Sequence, residues 1–493
     1  LALLQQAAAQ SNATAINQLG LMALNGEVIP KDAARAQTLF QQAADNGERY
    51  GAFNLGLGYE LGWFGATNNA DALKWFRSAA VLGVNEAWFR LGEIYEQGRG
   101  VLPDPGEALT WYQLAANNGV VLAQNRLGDA NHAATLGLKR NDVAAMRWYE
   151  LAAVQGNAGA QYMLGVLHES GDGVSHDNAE ALKRFKAAAE KGVLSAQARL
   201  GDAYRDATLG VARDETLAIA YYRKAADAGH AYAQANLAFM LENGRGTARD
   251  DAAALALYRK AAELGNVYAQ DRLATIYDRG LLGAVPDVAE AVRWARLAAA
   301  QNDAGAQVAL AIMYEQGRGV EKNGHEAVVW FRMAAAQGNA AAELDLGNVY
   351  LEGSDGVATD HAEAMRHYLV AAEKGQIAAQ RIISTAYRAG DGLKQDTTKM
   401  LYWARKCAEL GDPTCENSLG YSILIGLDDT YDFVESVTWL TLAVERAPPG
   451  ELHDRAVVNL ANAKAQLHEP ELAEAEKRAQ TWREKFGPAP VQN

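Results

Sequence analysis

The chain of 493 residues has two cysteines, no basic stretch, and no apolar run near the roughly 18–20 residues that would cross a bilayer as a helix. Each scarcity excludes something. Cys407 and Cys415 are too few for a disulfide scaffold, and they lack the second pair that a zinc site would want. With 46 Lys and Arg against 60 Asp and Glu, the net charge is −14. Nucleic acid and anionic membrane surfaces reward clustered cations, so neither is expected as the main partner. The initiating methionine is also missing. A chain that opens at Leu1 predicts that something upstream has been removed or left out, so the compartment is not directly readable.

Chemistry is scarce as well. Nine histidines are scattered without ligand spacing, and His361 and His367, six apart, do not share a helix face, so no metal or cofactor is expected. No nucleophile elbow and no triad order of Ser, His and Asp is visible, so the expectation is that the chain is not an enzyme. What is present is hydrophobic content of 49%, which excludes a disordered chain. The length fits either three or four domains or one repetitive array.

Repetition decides between these. A Gly three residues beyond an Ala-Ala pair falls at 47, 83, 119, 156, 192, 229 and 265, then Asn302 takes the slot, then Gly returns at 338, 375 and 411. Each step is 36 or 37 residues, and a fixed period changes what every motif means. In the same register Ala-x-x-x-Leu-Gly recurs with Leu at 19, 91, 127, 164, 200 and 346, often with Tyr four residues later. Ala, Leu and Tyr at i, i+4 and i+8 line one helical face and define helix A. Ala-x-x-Trp-Tyr/Phe-x-x-Ala-Ala, as at Trp75-Phe76, Trp111-Tyr112 and Trp148-Tyr149, defines helix B. Its Trp slot, filled also at 294, 330, 403 and 439, is expected in the core.

Between the helices lies a glycine-rich turn, YEQGRGV at 95–101 and again at 314–320. A phosphate loop follows a strand and carries Lys before Ser or Thr. This turn follows a helix, lacks that Lys, and recurs in variant form, so it is read as a left-handed helix stop. Behind it comes an acid, Asp104, Asp142, Asp177, Asp214, Asp250, Asp287, Asp360 or Asp396, expected to cap helix B. In DPGE (104–107) and DVAE (287–290) the spacing is that of a capping box.

The unit so defined, Ala-x-x-x-Leu-Gly-x-x-Tyr, then G-x-G-V-x-x-Asp, then Ala-x-x-Trp-Tyr-x-x-Ala-Ala-x-x-Gly, resembles the Sel1-like repeat, a relative of the tetratricopeptide repeat. The resemblance covers residues 1–447 with twelve helix A copies, Leu1 falling inside a helix B. It implies an all-α, right-handed α/α superhelical solenoid. The period breaks at Pro448-Pro449-Gly450, and residues 448–487 are expected to form capping helices, with 488–493 a disordered tail. Similar tails close many bacterial members of the family.

The resemblance also implies a function: a scaffold whose concave helix-A surface binds a protein or peptide segment, in a periplasmic or secreted bacterial setting such as polysaccharide secretion, motility or signalling. The inner positions lie one, two and five residues before the Leu and two after it. Here they include Phe53, Glu86, Phe89, Arg90, Arg126, Asp129, Tyr162, Arg199, Tyr232, Asn236, Tyr268 and Arg272. The arginines at 90, 126, 199 and 272 form a ladder with two readings. Either they are forks for a partner's carboxylates, or the first three pair locally with Glu93, Asp129 and Asp202 at i,i+3. Arg272 has Thr275 at that spacing. Cysteine-rich relatives bridge helices at the separation of Cys407 and Cys415, but their pair is shifted by one residue, so the resemblance leaves both a cross-link and two free thiols open here. Those relatives are associated with penicillin binding and hydrolysis, the alternative reading, and capture of a host factor by a secreted array is a third.

Overall fold

The computed structural model describes residues 1–427 and 431–486. Among them are 27 helices and no strand, with one isolated bridge between Ser354 and Val357. After Ala2–Ala9, twelve helix A and twelve helix B segments alternate, from Ala13–Asn25 to Phe433–Arg446, most of them 13 residues long. Two further helices follow, Glu451–Lys464 and Glu469–Phe486, where the capping helices were expected. The expected disordered tail at 488–493 lies outside the described residues. Two compact units, 1–249 and 250–493, are built by the same rules, and each is described by itself.

The third repeat shows the rules. Helix A (Asn85–Gln97) stops at Gly98, whose φ of +70° is the left-handed stop anticipated for YEQGRGV, and Gly317 repeats it at +69°. Arg99 of this turn pairs with Glu60 of the preceding helix A, and Arg318 of the second copy pairs with Asp278. The loop arginines are therefore joints between repeats. Helix B (Pro105–Asn117) begins at Asp104, whose carboxylate accepts from the Gly106 and Glu107 amides at 3.0 Å. Each carboxylate satisfies amides that have no partner inside the helix. Asp142 departs from expectation. Asn141 takes the capping position, and Asp142 sits one residue inside, held by His132 Nδ1 at 2.6 Å and Arg140 Nε at 2.8 Å. The cap itself keeps its register, 14 residues after Leu127 as Asp214 is after Leu200; the acid lies one residue beyond it.

The core of most repeats is an aromatic knob over a small residue. Tyr112, Tyr149, Phe185 and Tyr222 are fully buried, and each lies over the Gly that follows a helix-A Leu. A Cβ on Gly128 would sit 2.5 Å from the Tyr149 ring. The knob is the second aromatic of the Trp-Tyr pair, which corrects the sequence expectation. Trp75, Trp111, Trp148 and Trp330 are only half-buried. The indole goes fully inside where the next residue is small, as Trp294 beside Ala295 and Trp403 beside Ala404, or where the last helix covers it, as Trp439 against Trp482 at 4.9 Å. One side chain fills the space over the glycine, and the larger one yields to it unless its neighbour is an alanine.

Candidate functional site

Each proposed inner-wall residue can now be placed. Phe53, Phe89 and Tyr162 are half-buried and pack on the knobs of their own repeats, Phe76, Tyr112 and Phe185, with ring centroids 5.6–5.7 Å apart. These three are packing residues with one open edge. Asp129 accepts from the Tyr149 hydroxyl at 2.8 Å, and Asp202 accepts from Tyr222 at 2.6 Å and Tyr232 at 3.0 Å. Asn236 accepts from Arg205 of the preceding repeat at 2.5 Å. Glu86 is exposed. Arg272 is half-buried beside Asp271, whose carboxyl is pushed up by burial and by Asp303, against the pull of Arg272.

The first arginine of the ladder and the two middle ones find different partners. Arg90 does pair locally, its Nη1 lying 2.9 Å from Glu93, with Glu60 at 4.0 Å. Arg126 and Arg199 do not pair with Asp129 and Asp202. They reach back one repeat, Arg126 Nε to Glu96 at 3.1 Å and Arg199 Nε to Glu169 at 2.9 Å, each with a second bond from its Nη2. Asp129 and Asp202 instead take the knob hydroxyls, and Asp202 also has Arg205 at 3.5 Å. The signal available in the sequence was an acid 30 residues before each arginine: Glu60, Glu96 and Glu169. Glu96 also receives the Tyr112 hydroxyl at 2.7 Å. Burial raises its carboxyl, but the bonds from Arg126 and Tyr112 outweigh this and hold it below the ordinary value.

The same slot links other repeats with other chemistry. Arg388 donates to Ser418, 30 residues on, at 3.3 Å. Between the ninth and tenth helix A it holds two acids, Glu315 and Asp345. Burial first, and then the charge of Glu315, push the Asp345 carboxyl up to about 6. Glu315 is likewise raised by burial and by Glu352.

What the joints leave open is the position five before the Leu. Tyr50, Leu122, Tyr232 and Tyr268 stand there with 41%, 57%, 43% and 47% of their surface exposed. In the second unit a cleft of about 620 Å³ opens between Arg388, the helix Pro413–Leu424 (Asn417, Ser418, Tyr421) and the first capping helix (Glu451, Arg455, Val458, Asn459). Both charges and an exposed tyrosine line it, a surface able to take an amphipathic segment.

Cys407 and Cys415 are joined in a disulfide with Cα atoms 5.7 Å apart, both side chains buried. These sulfurs and Asp412 are the one grouping of three potential metal ligands among the described residues. The sulfurs are bonded to each other, and Asp412 caps its helix through the Cys415 amide at 2.9 Å. No described helix is long and apolar enough to cross a membrane.

Comparison with known proteins gives the same period. Twelve consecutive matches to the Sel1 repeat run from residue 13 to residue 447, the first at 13–48 and the last at 413–447. The chain is similar to the crystal structure of c5321, a protective antigen present in uropathogenic Escherichia coli strains that displays an SLR fold. Identity is 30%, the TM-score is 0.66, and the match covers 98% of this chain and 94% of that one. A Sel1 repeat protein from Oxalobacter formigenes is 34% identical over 51% of this chain and 99% of its own, with a TM-score of 0.47. No curated protein matches.

Proposed function

The chain belongs to the Sel1 repeat family, and from that premise we propose that it is a non-catalytic scaffold whose helix-A faces hold a segment of a partner protein. The observation that carries this reading is the row five before the Leu. Aromatic and aliphatic side chains stand exposed there at Tyr50, Leu122, Tyr232 and Tyr268, while the knobs, glycines, arginines and caps around them are engaged in joints. Exposed tyrosine rings offer apolar area at a small cost in side-chain entropy, which suits protein recognition, although the Tyr232 hydroxyl is itself held by Asp202.

A periplasmic or secreted setting is part of the proposal. A buried disulfide suits an oxidising compartment, and c5321 is a protective antigen of a uropathogen, which fits a protein that meets a host. The test places a photo-crosslinking amino acid at Tyr50, Tyr232 or Tyr268, and, as controls, at the exposed helix-B positions Val81 and Val154 in the native host. Adducts from the tyrosine positions, absent from the valine positions, support the reading. Adducts only from the valine positions would refute it.

A further inference from the structure

A slot that holds glutamine in seven repeats holds an acid in the last one. The residue three before the helix-A Leu donates to the backbone carbonyl eight residues upstream, at the end of the preceding helix B. Gln124, Gln197, Gln234, Gln270, Gln307 and Gln380 do so at 3.0–3.3 Å. In three of them the amide oxygen faces the other way and accepts from the end of the repeat's own helix B, Gln124 from Gln155 at 2.8 Å, Gln270 from Gln301 at 2.7 Å and Gln307 from Gln337 at 2.8 Å; those of Gln197, Gln234 and Gln380 are buried without a partner. What the six share is a donor aimed at that carbonyl; an acceptor role for the other atom is added in three of them.

The last repeat has Glu416 there. Its side chain is 0% exposed, Oε1 accepts from Arg446 at the end of its own helix B, and Oε2 is buried without a partner. Arg446 therefore takes the role of Gln155, and Oε2 takes the place of the amide nitrogen. By the register of the other repeats it is directed at the carbonyl of Ala408. An ionised carboxylate has only acceptors to offer, whereas a protonated one is a donor and an acceptor, like glutamine. The tenth repeat also has a glutamate in this slot, but Glu343 is met by His367 Nδ1 at 2.8 Å, so its Oε2 is not left alone.

We propose that Glu416 is a proton-binding residue of the last repeat. In its neutral form Oε2–H donates to the Ala408 carbonyl and closes the joint between the helices Thr397–Ala408 and Pro413–Leu424; loss of the proton sets two acceptors against each other and loosens it. The charged groups around it are named readily. Arg446 opposes protonation, Asp412 on the same turn and Glu445 favour it, and Arg483 of the last helix engages Glu445 at 2.9 Å. Burial is the largest influence, and the carboxyl is pushed up to about 7. The disulfide spans the same turn, from Cys407 to Cys415, and holds the two helices together when the proton leaves. The helix that moves also lines the cleft beneath the cap through Asn417, Ser418 and Tyr421, so proton loss is transmitted to that cleft.

The sign follows from linkage. A carboxyl raised from 4.5 to about 7 on folding binds its proton more tightly in the closed state, so stability falls as pH rises between those values. The full chain is compared with Glu416→Gln, which installs the side chain of the other repeats and preserves the fold. With the disulfide reduced, hydrogen exchange at the amides of Pro413–Leu424, corrected for intrinsic rates, reads the opening constant. In the wild type it rises up to about tenfold per pH unit across that window; in Glu416→Gln it stays flat. Independently, the infrared band of a protonated carboxylic acid near pH 6 should be present in the wild type and reduced in the variant. Parallel pH profiles, or an unchanged band, would overturn the proposal.

Discussion

If the arginines at 126 and 199 are joints between repeats, the coupling energy of Arg126 should lie with Glu96 and not with Asp129. The perturbations are Glu96→Gln, Arg126→Gln, Asp129→Asn and the two double variants. Two unit charges about 4 Å apart attract by about 4 kcal/mol at the effective dielectric of a protein surface. Part of that is lost, because the Arg126 and Glu96 side chains are only 24% and 26% exposed and have given up hydration. Two charge-assisted hydrogen bonds survive in the balance, and a net coupling of about 1–2 kcal/mol is expected. The Arg126–Asp129 cycle should give no more than a few tenths, the value of an ordinary i,i+3 helical pair.

Global unfolding is a poor readout, because an array does not melt in one step. Hydrogen exchange at the protected amides of Val121–Ala133 reports the local opening that the bridge resists. Glu96 also holds the Tyr112 hydroxyl, and the double-mutant cycle cancels that loss because it occurs in both backgrounds. The coupling should be full at neutral pH. Since Glu96 lies below its ordinary 4.5 in the folded state, the contribution is present above that value and disappears as pH falls through the lower folded one. A coupling with Asp129 larger than that with Glu96 would refute the inter-repeat reading.

Two other outcomes follow from the same geometry. Asp345→Asn removes a carboxyl raised from 3.8 to about 6, which favours the folded state below 3.8 and loses that advantage as pH rises through about 6. The variant should stabilise the helix Ala340–Glu352 by about 1–2 kcal/mol at pH 8, after discounting for solvent screening, and leave it unchanged near pH 4, as read by hydrogen exchange at the two pH values. Tyr222→Phe should cost about 1 kcal/mol locally by removing the shorter of the two hydroxyl bonds to Asp202, which keeps that from Tyr232, and Tyr222→Ala about 3–5 by opening a cavity at a fully buried site. Equal losses in both variants would show that the hydroxyl, not the ring, holds this joint.

Much of the architecture was legible because it is written in short-range chemistry. Helical spacing, a left-handed stop at Gly98 and an acid at Asp104 act within a few residues of themselves, and each holds in the structure. Asp142 was misplaced by one residue because Asn and Asp both cap helices, and the register that puts Asp214 at its cap puts Asn141 there. The Trp slot was read as core because size and hydrophobicity favour burial, yet only the space over the facing glycine decides which of two adjacent aromatics enters. Trp111 stays half-exposed beside Tyr112, and Trp294 goes inside beside Ala295.

The candidate surface was less legible. The positions five before the Leu, among them Tyr232 and Tyr268, stand open, but Phe53, Phe89, Arg126 and Arg199 turn to partners of their own chain. The sequence by itself determined the period, the two helices of each unit and where each begins and stops, because those follow from backbone hydrogen bonding and side-chain spacing within a turn or two. Only tertiary structure decided which arginine meets which acid 30 residues away, which aromatic fills a joint, and that Glu416 faces inward beside Arg446. Such pairings depend on how one hairpin lies against the next, and no local rule of the chain contains that distance.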